Sequence, residues 1–175
     1  RNLKGTLREY QKFGYKWLKT LDHYRLGGIL ADDMGLGKTI QVIAFLLSAK
    51  NDRGTFPTLV VVPTSLVFNW CAELDRFAPE LSYSVIIGNK EERTRLIGEA
   101  GSHDVIITSY PLIRRDIEDY AGMSFRYCIL DEAQHIKNPD SQNAKAVKVI
   151  RSETRFALTG TPMENNLAEL WSIFD

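Results

Sequence analysis

Short, continuous apolar runs rich in β-branched residues recur along this chain, and a helical pattern follows nearly every one. Thr58-Leu59-Val60-Val61-Val62 is the clearest, with no polar alternation, as a strand covered on both faces requires. Gly28-Ile29-Leu30-Ala31, Tyr83–Ile87, Asp104–Thr108, Arg126–Leu130 and Phe156–Leu158 read the same way. Between them lie helical spacings: Leu7 to Leu21, Lys38 to Ala49, Leu66–Ala78, Lys90–Ala100, Pro111–Tyr120 and Gln142–Ile150, with a last helix opening over Leu167–Phe174. Asn51–Thr55 and Gly98–Ser102 read as polar loops. Such alternation predicts an α/β fold, a mostly parallel sheet with helices on both faces.

The 175 residues fit one domain, spanning 1–175, at about 100–200 residues each. No run approaches the ~20 apolar residues of a membrane span. Lys+Arg number 22 and Asp+Glu 22, so any nucleic-acid site is local or shared with something outside these residues. Cys71 and Cys128, each in an apolar stretch, are expected as reduced core thiols, and His23, His103 and His135 stand too far apart to form a metal cluster. The chain begins at Arg1 and ends at Asp175 inside an apolar, helix-like run, which predicts a piece of something longer.

The chemistry concentrates where strands end. Asp33-Met34-Gly35-Leu36-Gly37-Lys38-Thr39 falls between a strand and a helix. Glycines there let backbone N–H groups approach phosphate oxygens, and the helix N-terminus adds partial positive charge. Lys38 would reach the β- and γ-phosphates and the Thr39 hydroxyl would hold Mg²⁺. The full phosphate-loop pattern has a glycine where this chain has Asp32, so a glycine-rich turn with an incidental lysine is the competing reading. Asp131-Glu132 ends the strand Tyr127–Leu130, at the edge where ligands bind in open parallel sheets. One carboxylate suits a Mg²⁺ shell and the other suits a base for water; an acidic helix N-terminus is the alternative. Thr64-Ser65, Thr108-Ser109 and Thr159-Gly160-Thr161 also follow strands, where hydroxyls suit either phosphate-backbone contacts or helix capping.

Together these segments resemble the motifs of Snf2-type ATPases, in order and over nearly the whole chain. Leu7-Arg8-x-Tyr10-Gln11-x-x-Gly14-x-x-Trp17-Leu18 resembles the adenine-reading Q motif. Ala31–Thr39 resembles motif I, whose usual form has an acidic residue at Asp32's position. Pro63-Thr64-Ser65-Leu66 with Asn69-Trp70 and Glu73 is similar to motif Ia, and Thr108-Ser109-Tyr110 to motif Ib. Asp131-Glu132-Ala133-Gln134-His135 is similar to motif II, and Leu158–Pro162 with Asn165-Asn166-Leu167 and Leu170-Trp171 to motif III and its extension. Gln134 and Met163-Glu164 look more like bacterial and archaeal members.

The resemblance implies a RecA-like lobe and assigns roles. Arg8, Tyr10 and Gln11 would take the adenine; Asp33, Met34, Gly35, Leu36, Gly37, Lys38 and Thr39 would hold ATP; Thr39 and Asp131 would hold Mg²⁺. Lys38, Asp131 and Glu132 would carry catalysis, with Glu132 activating the water. Thr64, Ser65, Thr108 and Ser109 would touch the DNA backbone, and Gln134, Thr159, Gly160 and Thr161 would couple ATP state to DNA grip. Motifs IV to VI and the arginine finger would belong to a second RecA-like lobe. The implied protein is a DNA-dependent ATPase that moves along double-stranded DNA and remodels or strips DNA-bound proteins. Its place would be the cytoplasm and nucleoid in a bacterium or archaeon, or the nucleus in a eukaryote, and not a membrane. The rivals are an unwinding helicase of superfamily 2 and a nucleotide phosphotransferase.

Overall fold

The computed structural model describes residues 3–9, 11–12, 14–16, 19, 28–31, 37–53, 57–136, 138 and 140–159. Six strands form one sheet: β1 (Gly28–Ala31), β2 (Thr58–Val62), β3 (Tyr83–Val85), β4 (Val105–Ser109), β5 (Ser124–Leu130) and β6 (Arg151–Thr159). Their order is β1-β6-β5-β2-β4-β3, and every adjacent pair is parallel. Among the described residues, five α-helices follow β1: α1 (Lys38–Arg53), α2 (Val67–Phe77), α3 (Lys90–Gly98), α4 (Tyr110–Arg115) and α5 (Gln142–Val149). Ahead of β1, described residues between 9 and 19 are helical.

Strand β2 is buried at every position, which is why its sequence carries no polar alternation. Val60 and Val62 point to a core shared with Val42, Phe45, Trp70 and Leu74, from α1 and α2. Leu59 and Val61 point to a second core with Ile97, Ile113 and Val147, from α3, α4 and α5. Helices therefore cover both faces. Phe45 anchors the first layer edge-on against Tyr127 at 5.0 Å and Phe156 at 5.5 Å, between ring centroids. Cys71 and Cys128 are free and buried.

Several boundaries differ from the sequence reading, three of them with a clear physical reason. Helix α1 continues through Arg53, into the expected polar loop, because nothing breaks it before Gly54. Strand β6 begins at Arg151 rather than Phe156, since its polar first half is held by pairing from Ser124↔Arg151 to Leu130↔Ala157. The expected loop at Gly98–Ser102 ends in a 3-10 turn, Ala100–Ser102, with Ala100 buried.

Candidate nucleotide and DNA site

The parallel ladder carries the C-terminal ends of its strands to one edge. There an open cleft of about 640 Å³ is walled by Arg8 and Gln11, by Gly37, Lys38 and Thr39 at the start of α1, by Asn69 and Arg76 of α2, and by Asp131 and Glu132 after β5. The cleft thus gathers residues separated by more than a hundred positions in sequence. Tyr10, Asp33, Met34, Gly35, Leu36, Gly160 and Thr161 lie outside the described residues.

Lys38 is the cleft's main electrostatic feature. It is 5% exposed, and its ammonium makes no hydrogen bond among the described residues. Glu132 Oε1 stands 3.7 Å away, an ion pair beyond hydrogen-bonding distance. A buried ammonium without hydrogen bonds is costly, and an anion entering the cleft removes that cost. Just before it, Gly37 has φ of +79°, and a Cβ there would collide with the Gln11 side-chain amide. Gln11 is itself buried. Its Oε1 accepts from the Arg8 backbone N–H at 2.9 Å, closing the first turn of the helical segment, and its Nε2 faces the Gly37 carbonyl at 3.5 Å.

Asp131 is fixed from all sides. Its N–H donates to the Val61 carbonyl at 2.9 Å and its carbonyl accepts from the Tyr110 hydroxyl at 2.6 Å. Its Oδ2 accepts from the Trp70 indole at 2.8 Å and its Oδ1 from the Glu132 N–H at 2.9 Å. Burial raises its carboxyl above the ordinary range, against the opposing pull of the Trp70 bond and of Lys38. Burial beside Asp131 drives the Tyr110 hydroxyl well above its usual value, so it stays protonated and donating.

Glu132 takes φ of +47°, a left-handed backbone that non-glycine residues adopt at a cost of about 1–3 kcal/mol. That turn aims its side chain back at Lys38. Its Oε2 accepts from Gln134 Nε2 at 2.5 Å, and Gln134 Oε1 accepts from the Thr159 hydroxyl at 3.1 Å. A continuous polar chain therefore runs from Lys38 through Glu132 and Gln134 to Thr159, at the end of β6.

The four expected DNA-facing hydroxyls divide. Thr64 and Ser65 are exposed on the turn between β2 and α2. Thr108 and Ser109 are the last residues of β4 and are buried; the Ser109 hydroxyl caps α4 by accepting from the Leu112 N–H at 3.4 Å. Two residues escaped the sequence reading. Trp70 and Tyr110 enter that reading only as members of the motif Ia-like and motif Ib-like segments, with no role of their own, yet each spends its polar tip on Asp131. The available signal was that a buried Trp or Tyr needs a partner for its N–H or O–H.

Mg²⁺ takes one or two protein ligands together with substrate phosphates. Thr39, partly exposed at the start of α1, and Asp131 across the cleft meet that requirement. Among the described residues no three His, Cys, Asp or Glu side chains gather as a protein-only cage.

The chain is similar to known proteins over nearly its whole length. The family model described as "SNF2-related domain" matches residues 10–175. Helicase swr1 of Emericella nidulans is 47% identical over 175 residues, covering 98% of this chain and 10% of that protein. An uncharacterized ATP-dependent helicase of Mycoplasma genitalium is 44% identical over 175 residues, covering 99% of this chain and 17% of that protein. The chain thus spans under a fifth of the length of these curated relatives. A Sulfolobus solfataricus SWI2/SNF2 ATPase core solved with double-stranded DNA superposes with a TM-score of 0.89 at 42% identity, over 99% of this chain and 36% of that one. Bacterial and archaeal proteins stand among the matches beside fungal ones. With a family model matching residues 10–175 and a solved core superposing over nearly the whole chain, the chain belongs to the SNF2-related domain family and carries its RecA-like α/β fold.

Proposed function

We propose that the chain is the ATP-binding lobe of a motor that hydrolyses ATP to move along double-stranded DNA and to remodel or strip proteins bound there. The observation that carries this reading is the Lys38 ammonium, buried without a hydrogen bond among the described residues, facing Asp131 and Glu132 across an open cleft. Lys38 would neutralise phosphate charge. Thr39 and Asp131 would hold Mg²⁺, which supplies charge neutralisation on the phosphates. Glu132 would take the proton of the attacking water, and the Gln134 amide would keep its carboxylate aimed. The Gln134–Thr159 bond would carry the state of the cleft to the end of β6, where the segment with Gly160 and Thr161 begins. Thr64 and Ser65 would grip the DNA backbone; Thr108 and Ser109, being buried, would support that edge from beneath.

Two features support a partner lobe. The cleft is an open one among the described residues, and the sequence is balanced in charge, so counterion release by this lobe alone gains little DNA affinity. Arginines do reach the cleft wall, at Arg8 and Arg76. The resemblance nevertheless assigns the catalytic arginine to a second RecA-like lobe. Because relatives are named helicases, strand separation is the second reading. A strand-displacement assay on the full-length protein separates the two, with translocation without unwinding expected.

Lys38→Ala tests the site. Charge-assisted contacts contribute about 1.5–3 kcal/mol each, so titration calorimetry should show Mg–ATP affinity falling by roughly 10–150-fold. Equal affinities in the two proteins would remove Lys38 from the phosphates. Gln11→Ala tests the base-reading role: ATP affinity should fall more than GTP affinity. An equal fall for both nucleotides would make Gln11 a strut beneath Gly37, the role its 3.5 Å approach to that carbonyl already suits.

A further inference from the structure

Trp70 ties the DNA-facing turn to the carboxylate proposed to hold Mg²⁺. Its indole is 0% exposed, and its N–H donates to Asp131 Oδ2 at 2.8 Å. Trp70 lies one turn into α2, and α2 follows directly on the turn Thr64–Leu66, where Thr64 and Ser65 are exposed. The rest of Asp131 is held by other means: its backbone by Val61 and Tyr110, its Oδ1 by the neighbouring Glu132 N–H. The backbone is therefore clamped by Val61 and Tyr110, while the carboxylate is held by two donors, the Glu132 N–H on Oδ1 and, from α2, the Trp70 indole on Oδ2. A small shift or rotation of α2 would move the indole and, through its hydrogen bond, act on Oδ2.

We propose that Trp70 is a positioning residue that couples DNA engagement at the Thr64-Ser65 turn to the orientation of the Asp131 carboxylate, and so to affinity for Mg-bound nucleotide. The inference rests on the nucleotide reading of the cleft given above. Coupling of this kind is reciprocal: if DNA tightens Mg–nucleotide binding, Mg–nucleotide tightens DNA binding by the same factor. An indole suits the task. It is rigid, it packs in the core beside Leu74 and Val67, and it offers one donor in a fixed direction. Phe at the same place keeps the ring and removes the donor.

The test uses the full-length protein and the affinity for Mg–ADP, measured with and without saturating duplex DNA. In the wild type, DNA should tighten Mg–ADP by at least about fivefold, the lower end of ordinary coupling. In Trp70→Phe that ratio should fall toward one while DNA affinity stays within twofold of wild type, roughly the scatter of an uncoupled site. A purely structural role would weaken binding with and without DNA alike, leaving the ratio unchanged, and that result overturns the proposal. The indole N–H resonance of Trp70 in the unmutated site gives a readout that needs no folded Trp70 variant. Segmental isotope labelling of residues 1–175 within the full-length protein, with Trp17→Phe and Trp171→Phe, leaves it as the sole labelled indole signal. It should shift on adding Mg–ADP and again on adding duplex. A resonance indifferent to both ligands also overturns the proposal. If Lys38→Ala leaves Mg–ADP binding intact, the nucleotide reading fails first. If Lys38→Ala weakens binding but Trp70→Phe keeps the DNA ratio, that reading stands and only the role of Trp70 falls.

Discussion

Glu132→Gln is expected to lower ATP turnover of the full-length protein by about 10²–10⁴-fold while nucleotide affinity holds, as loss of a general base does. The structure makes the substitution clean. Gln has the shape of Glu, and its side-chain carbonyl can still accept from Gln134 Nε2, so the link to Thr159 survives. The strained φ of +47° at this position is unchanged by an isosteric side chain. What disappears is the carboxylate that takes the proton, together with the negative charge 3.7 Å from Lys38. Removing that charge leaves Lys38 freer for phosphates, so affinity should stay constant or rise slightly. Phosphate release and equilibrium binding, measured on the same preparation, separate the two effects. Hydrolysis near the wild-type rate would reject Glu132 as the base.

The second large effect concerns stability, far from the cleft. Arg93 and Asp116 form a buried pair in which Arg93 Nε lies 2.8 Å from Asp116 Oδ2 and Nη2 lies 2.9 Å from Oδ1. Asp116 is fully buried, and the remaining Arg93 nitrogen donates to the Gly88 carbonyl at 2.9 Å. The pair pins α3 to the turn that follows α4, with Lys90 adding contacts to Asp116 and Asp119 from the surface. Breaking one side of a buried pair costs roughly 3–5 kcal/mol, because the other charge is left uncompensated. Lys90 still reaches Asp116, so Arg93→Met is placed near 3 kcal/mol, the low end of that range. For a chain of this size that is a loss of about 6–12 °C in Tm. Calorimetric unfolding checks it, and adding Asp116→Leu should recover part of the loss by removing the stranded carboxylate. A single variant within 2 °C of wild type would show that the pair contributes little, as at an exposed site.

Much of this was legible in the sequence because two signals agreed. Continuous apolar runs such as Thr58–Val62 announce strands buried on both faces, and both faces of β2 are in fact covered. The Gly37-Lys38-Thr39 and Asp131-Glu132 segments each follow a strand end, and a parallel sheet delivers strand ends to one edge, so their meeting follows from topology. What stayed hidden depends on tertiary contacts. The polar half of β6, Arg151–Arg155, has no apolar signature and exists as strand through pairing with β5. The burial of Thr108 and Ser109 follows from β4 reaching farther than its apolar run, which no spacing encodes. Trp70 and Tyr110 appear in the sequence only as members of motif-like segments, because a sequence shows the ring and not the acceptor its polar tip finds 61 and 21 residues away. The resemblance gives Gln134 and Thr159 a coupling role without naming any contact between them; that Gln134 bonds both Glu132 and Thr159 is a tertiary feature no spacing encodes.

In the proposed motor this lobe supplies the phosphate site and the water-activating base, while catalysis also needs a second lobe and duplex DNA. Steady-state phosphate release, measured with and without saturating duplex DNA on the full-length protein and on the 175-residue chain alone, tests it directly. The full-length protein should be strongly stimulated by duplex. The chain alone should stay near background in both conditions, because an arginine finger supplied from elsewhere contributes about 10³–10⁵ in rate. Robust duplex-stimulated hydrolysis by the chain alone would place the catalytic arginine within it, with Arg8 and Arg76 on the cleft wall the first to examine, and would contradict the divided site.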